Sequence, residues 1–219
     1  MEKSTLTVSI AFLVAALLGA LVLVVDLWVK NAGVEPLNAA PAATATNGPA
    51  QAKPTIDGSI GEGEYAHYLL DEVTGMALHW TLIGERLFMA LSSPGHGWIA
   101  VGLDPDGPMM KGADILMGYV ADGETVFEDH WADSPASHVN DIDAGGSDDI
   151  LSFAGSESEN GTVIEFERAI LSDDAFDKPV PHTETFVQLA YSEKDDWKTY
   201  HGSKKRNTVT VDFFATGGK

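Results

Sequence analysis

Past residue 54 the chain is a succession of short apolar runs, each closed by Gly, Pro, Asp or Asn. Met76-Ala-Leu-His-Trp-Thr-Leu-Ile83 and Arg86-Leu-Phe-Met-Ala-Leu-Ser92 are separated only by Gly84-Glu85, a hairpin-like link. Trp98-Ile-Ala-Val-Gly-Leu103 follows. Then come Asp114-Ile-Leu-Met-Gly-Tyr-Val120 and Thr125-Val-Phe-Glu-Asp-His-Trp131, joined by Ala121-Asp-Gly-Glu124. The second half adds Ile150-Leu-Ser-Phe-Ala154, Thr162-Val-Ile-Glu-Phe-Glu-Arg168, Thr185-Phe-Val-Gln-Leu-Ala-Tyr191 and Thr208-Val-Thr-Val-Asp-Phe-Phe214. Several alternate with period two: Val163, Glu165 and Glu167 fall on one side, Thr162, Ile164 and Phe166 on the other, as in a strand with one wet face. Runs this short, bounded by turn residues, predict an all-β sandwich or barrel rather than βαβ units. No segment here has a long helical period; Asp173-Asp174-Ala-Phe-Asp177 is one helical turn at most.

The N-terminal pattern is different. Residues 6–25 form a run of 20 residues without charge, almost wholly apolar. As a helix it would be about 30 Å long, the thickness of a bilayer's hydrocarbon core. That exceeds the ~7–15 residues of a signal-peptide core. An uncleaved single-pass anchor over residues 1–30 is therefore expected, with cleavage in the Ala-rich stretch after Asn38 as the alternative. Lys3 and Lys30 flank the run almost symmetrically, so charge orients it poorly. The N-terminus is assigned to the cytoplasm because the following domain reads as exported, to the periplasmic or extracellular side. Residues 31–53 form an Ala/Pro-rich tether with little to bury. Residues 54–219 are the soluble domain, long enough for one well-buried core.

Composition narrows the chemistry. There are 33 acidic residues against 13 basic ones, a net charge of −20. Such a chain is repelled by phosphate backbones, which excludes nucleic acid. The acidity suits solubility, or docking to a basic redox partner. There is no cysteine, which excludes disulfides, iron–sulfur clusters, thiolate zinc sites and covalent haem attachment. No hydrolase constellation, phosphate loop or dinucleotide fingerprint is present, and the domain is not expected to be an enzyme by itself.

Three blocks carry a family resemblance. Gly97-Trp98-Ile-Ala-Val-Gly102-Leu, followed by Met109-Met110-Lys-Gly112-Ala113-Asp114, resembles the central signature of DOMON domains: a Gly-Trp strand, a loop with Met-x-Gly, then a strand. Asn160 to Asp177, with Phe166-Glu-Arg168 and an Asp-rich turn, resembles the second block, and Tyr200-His201-Gly202 the third. They occur in family order and together span roughly residues 54–214. The resemblance implies an antiparallel, immunoglobulin-like β-sandwich of about 10–11 strands. It also implies b-type haem or sugar binding; the haem-binding relatives include the cytochrome domains of cellobiose dehydrogenases and plant plasma-membrane b-type cytochromes. Carried over, the axial ligands are Met110 and His201. A thioether and an imidazole fill both axial positions, which suits electron transfer rather than oxygen chemistry. Met110 is preferred to Met109 because Gly112 stands two places on, and His96, between Gly95 and Gly97, is the alternative axial histidine. Trp98, Met117, Tyr119, Trp80 and Phe88 are available to line an apolar slot. Lys204, Lys205 and Arg206 are candidates for the haem propionates.

The expected function is thus a membrane-anchored, extracytoplasmic b-type haem domain that transfers electrons. The rivals are a carbohydrate- or small-ligand-binding module using Trp98, Trp131 and Trp197, and a haem-free docking subunit of a membrane complex. The acidic, Gly-rich run Asp141 to Asp149 has the oxygen donors of a calcium loop but lacks EF-hand spacing, which makes calcium the lesser alternative.

Overall fold

A computed structural model describes residues 52–215; the expected anchor and all but the last two residues of the tether lie outside them. Among the described residues no helix is long and apolar enough to cross a membrane. The domain is an all-β antiparallel sandwich of two sheets. Its strands are β1 (His67–Asp71), β2 (Met76–Ile83), β3 (Arg86–Ser93), β4 (Ile99–Leu103), β5 (Asp114–Ala121), β6 (Glu124–Ser134), β7 (Ser137–Asn140), β8 (Ile150–Ser158), β9 (Gly161–Ala169), β10 (Thr185–Tyr191) and β11 (Arg206–Val211). One sheet has the order β1-β2-β3-β9-β8 and the other β11-β10-β4-β5-β6-β7. The only described helix is the single turn α1 (Asp141–Ala144), capped by the Asn140 side chain. The helical turn considered at 173–177 does not form.

The period-two pattern sets the two faces. Leu78 and Trp80 of β2, Met89 and Leu91 of β3, and Ile164 and Phe166 of β9 point inward. They meet Ile99 and Val101 of β4, Leu116 of β5, and Val187 and Leu189 of β10. The β5–β6 hairpin turns at Asp122-Gly123, both with positive φ (54° and 81°), as a two-residue turn matched to strand twist requires. β1 and β7, absent from the sequence-derived strands, are short sheet edges. Their sparse apolar residues give little periodic signal. The last strand stops at Val211, and Phe213 turns in to pack on Trp80 with centroids 5.7 Å apart.

The wet face predicted for β9 is partly covered. Glu165 is fully buried. Its Oε2 accepts N–H bonds from Asp57 (3.0 Å), Gly58 (2.7 Å) and Ser59 (3.1 Å), and its Oε1 accepts the Tyr65 hydroxyl at 2.7 Å. This one carboxylate ties the segment entering the domain onto the outer face of the first sheet, and Lys53 adds a 3.0 Å ion pair with Glu167. Glu165→Ala should strand those donors and cost on the order of 2–4 kcal/mol. Thermal unfolding checks this, and limited proteolysis should show new cleavage near residues 57–59.

Candidate functional site

The outer face of the six-stranded sheet is unusually apolar for a wet surface. Trp98 and Ala100 flank and enter β4, Ile115 and Met117 belong to β5, and Ala190 to β10. They cluster with Ala113, Ala132 and the half-buried Met110, Tyr119 and Trp197. These outward residues alternate with the core residues Ile99, Val101, Leu116 and Leu189, so one set of strands feeds two apolar clusters. The outer cluster forms the floor of a cleft of about 510 Å³, within the ~300–1,000 Å³ range of cofactor and small-ligand sites.

Three connections wall the cleft. The β4–β5 loop brings Met109 and Met110, the β6–β7 hairpin brings Pro135, Ala136 and His138, and the β10–β11 loop brings Trp197 to His201. The first loop is held by Ala113 N–H donating to Met110 O (2.8 Å) and Asp106 N–H donating to Lys111 O (2.9 Å). Gly112 makes this turn possible. Its φ is +76°, and a Cβ there would lie 2.3 Å from Asp106 Cγ. That is a physical reason for the Gly two places after Met110. The third loop packs flat on Gly97, where a Cβ would come within 2.1 Å of Lys194 N. The Trp98 indole N–H then donates to Thr199 O at 3.2 Å.

The two predicted axial ligands, 91 residues apart in sequence, both line this cleft. Met110 is half-buried against the apolar floor, while Met109 is 46% exposed. His201 stands edge-on to Trp98, with centroids 6.0 Å apart, and leans on Tyr200 at 4.4 Å. Its Nδ1 lies 2.6 Å from Gly202 O, so the ring proton sits on Nδ1 and the lone pair on Nε2. Burial, and secondarily Arg206, holds its pKa below the ordinary histidine value. A neutral imidazole with one nitrogen tied to a carbonyl is the ligating form.

Other predicted residues are distributed unevenly. Trp98 and Arg206 line the cleft; Lys204 is exposed and does not, and Lys205 is paired to Glu193 at 2.7 Å. Lys198 lines the cleft in addition to Arg206. Met117 and Tyr119 belong to the outer cluster, whereas Trp80 is in the core and Phe88 lies under Lys53 on the other sheet. His96 is exposed outside the cleft, its N–H on Glu193. Of the three tryptophans considered for carbohydrate, none is exposed, and Trp131 lies apart, edge-on to Phe176.

The acidic run 141–149 does not present its carboxylates as one set. Asp148 accepts its own loop's Ile150 N–H, Asp149 takes the Ser172 hydroxyl, and Asp141 turns inward and is fully buried. There it joins Asp114, Asp129 and Asp177 around Arg168 at one end of the sandwich. Arg168 is 1% exposed and bonds Asp114, Asp177 (3.3 Å) and Lys178 O (3.2 Å). Sequence reasoning missed this cluster, whose members come from separate strands and loops, and also the place of His138 in the cleft, because the sequence pattern did not reveal the short edge strand β7 that carries it.

The family model of the DOMON domain matches residues 72–193, more than half of the chain. The chain belongs to the DOMON family. The DBH-like monooxygenase protein 1 of Mus musculus is 32% identical over 141 residues, covering 64% of this chain and 22% of the relative. The human protein of the same name is 28% identical over 154 residues, 69% of this chain and 24% of that one. This DOMON chain thus spans less than a quarter of the length of these curated relatives. Among solved structures, the cytochrome b domain of pyranose dehydrogenase from Coprinopsis cinerea superposes with a TM-score of 0.50. It is 16% identical and covers 66% of this chain and 80% of that one. At that identity the likeness speaks for the sandwich fold.

Proposed function

We propose that this DOMON domain binds b-type haem non-covalently in the cleft on its six-stranded sheet and carries single electrons. The observation that supports this most is the convergence of Met110 and His201 on one apolar-floored cleft. A thioether and a neutral imidazole are the donor pair of six-coordinate electron-transfer haem, and the residues present suit that group. When bound, haem supplies a one-electron ferric/ferrous couple. The protein contributes the rest. Met110 offers a soft, neutral sulfur, and His201 Nε2 offers a lone pair oriented by the Gly202 carbonyl. Trp98, Ile115 and Met117 exclude water from the cleft floor, which favours the less charged reduced state. Arg206 and Lys198 at the rim suit the propionates. The similarity to a cytochrome b domain supports the reading at the level of fold.

The setting proposed is a single-pass membrane protein with this domain outside the cytoplasm, on the strength of the uncharged run at 6–25. The acidic surface suits a basic redox partner, and the domain would act as a carrier rather than a catalyst. The test is an absorption spectrum of the full chain, oxidised and reduced, before and after adding haemin. A sharp, reducible low-spin spectrum at one haem per chain is expected. A colourless protein that fails to take up haemin would overturn the proposal.

A further inference from the structure

Next to the predicted axial ligands, the β6–β7 hairpin brings together two histidines that the haem reading does not use. His130 Nδ1 lies 3.1 Å from His138 Nδ1, the rings edge to face with centroids 4.9 Å apart. On its other side, His130 Nε2 lies 3.0 Å from Glu128 Oε2. Asn140 Nδ2 donates to that same oxygen at 3.2 Å. Trp197 stands over His130 with centroids 6.0 Å apart. Glu128 and His130 share the outer face because they are two apart on one strand. His138 reaches them from β7, whose pairing with β6 carries a register shift between Trp131 and Ser134.

We propose that His130 and His138 chelate a borderline transition-metal ion of the Cu²⁺/Zn²⁺ class, at a site whose remaining positions open on the cleft.

Three features carry this. The first is donor spacing: with metal–nitrogen bonds of about 2.05 Å, nitrogens 3.1 Å apart subtend about 100°, between the tetrahedral and square-planar angles. The second is the outer partner. Glu128 accepts the Nε2 proton of His130 and so leaves its lone pair on Nδ1, facing His138. A carboxylate behind a ligating imidazole is the usual support of such a metal site, and Asn140 holds that carboxylate in place. The third is the protonation state. Burial keeps both imidazoles below the ordinary histidine pKa, and for His138 the neighbouring His130 adds to it. That favours the neutral form, the one a metal ligand takes. His138 also lines the cleft, which gives an ion an entry path and gives water or a cleft-bound ligand access to it. Imidazole donors favour copper and zinc over calcium or magnesium.

The same 3.1 Å would also serve a plain Nδ1–H···Nδ1 hydrogen bond, and the test must separate the two. The full chain, stripped with chelator and free of haemin, is titrated with Cu²⁺ and followed by electron paramagnetic resonance. One tight equivalent is expected, with superhyperfine structure from two imidazole nitrogens. His138→Ala, at a half-buried position, should weaken it by at least about 100-fold, and Glu128→Gln by about 10–100-fold. His182→Ala, whose ring stacks on Phe214 at 3.9 Å, should leave it unchanged. Circular dichroism confirms that each variant is folded. Equal copper affinity in the wild type and His138→Ala, or no tight equivalent in the wild type, would overturn the proposal and leave the pair as a hydrogen bond. None of the donors is Met110 or His201. A protein that binds copper but never haemin would therefore defeat the haem reading and leave this one standing.

Discussion

His201→Ala is expected to abolish the low-spin haem spectrum and to weaken haemin binding by more than about 100-fold. The bound follows because disturbing only an outer partner of a ligand typically costs about 10–100-fold, and here the ligand itself is removed. Met110→Ala should be milder in affinity and different in kind: a thioether is the weaker donor, so haemin is retained with an open axial position and a high-spin spectrum. Met110→His should restore the low-spin state with a lower reduction potential, because a second imidazole stabilises ferrous iron less than a thioether does. Absorption and magnetic circular dichroism spectra with haemin titrations read all three. An unchanged low-spin spectrum in His201→Ala would mean that another histidine ligates, and His138, in the same cleft, would be the first to replace.

Arg168→Leu should lower stability by about 3–5 kcal/mol, or a fall of about 6–20 °C in Tm for a domain of this size. Arg168 is the buried counter-charge to Asp114, Asp129, Asp141 and Asp177, and it is wholly inside the protein. Its removal leaves carboxylates that water cannot reach. Even with Arg168 present the cluster is over-acidic: one oxygen each of Asp114 and Asp129 and both of Asp141 have no hydrogen-bond partner among the described residues. Burial first, and then the charge of Asp114, pushes Asp129 up to about 9 and Asp141 to about 7. An acid whose folded pKa is raised favours the folded state at low pH, and that stability is lost as pH rises from the unfolded value toward the folded one. The buried histidines, with lowered pKa values, act oppositely and only below about pH 6.5. Stability should therefore fall between pH 6.5 and 9, by up to about 1.4 kcal/mol per pH unit from Asp129. Asp129→Asn should flatten the profile. A flat wild-type profile that becomes steep on adding chelator would instead assign these carboxylates to a bound cation.

The cluster also changes what the sequence blocks mean. Arg168 closes the Phe-x-Arg block, Asp177 ends its Asp-rich turn, and Asp114 follows the Met-x-Gly loop. The structure joins all three in one buried ion network. Part of the resemblance is therefore a fold-locking device, while another part, including Trp98, Met110 and His201, belongs to the cleft. Nothing in the local sequence separates these roles, because Arg168 reads as one more polar end of a strand. His130 and His138 were similarly illegible. Their spacing of eight fits no helical or strand ligand pattern, and only a hairpin with a register shift brings the rings together.

By itself the sequence determined the class of fold, since alternating apolar runs cut by Gly and Asp can bury their faces only by stacking sheets or closing one into a barrel. It also determined that any haem must be non-covalent, because there is no cysteine, and it pointed to Met110 and His201. Only the tertiary structure decided that both reach one cleft, that Lys204 does not, and that Glu165 is covered. Those outcomes depend on which strands neighbour one another and which loops fold back over them. Period-two patterning assigns a residue to a face of its own strand, but contacts 50 to 100 residues apart depend on strand order and loop path.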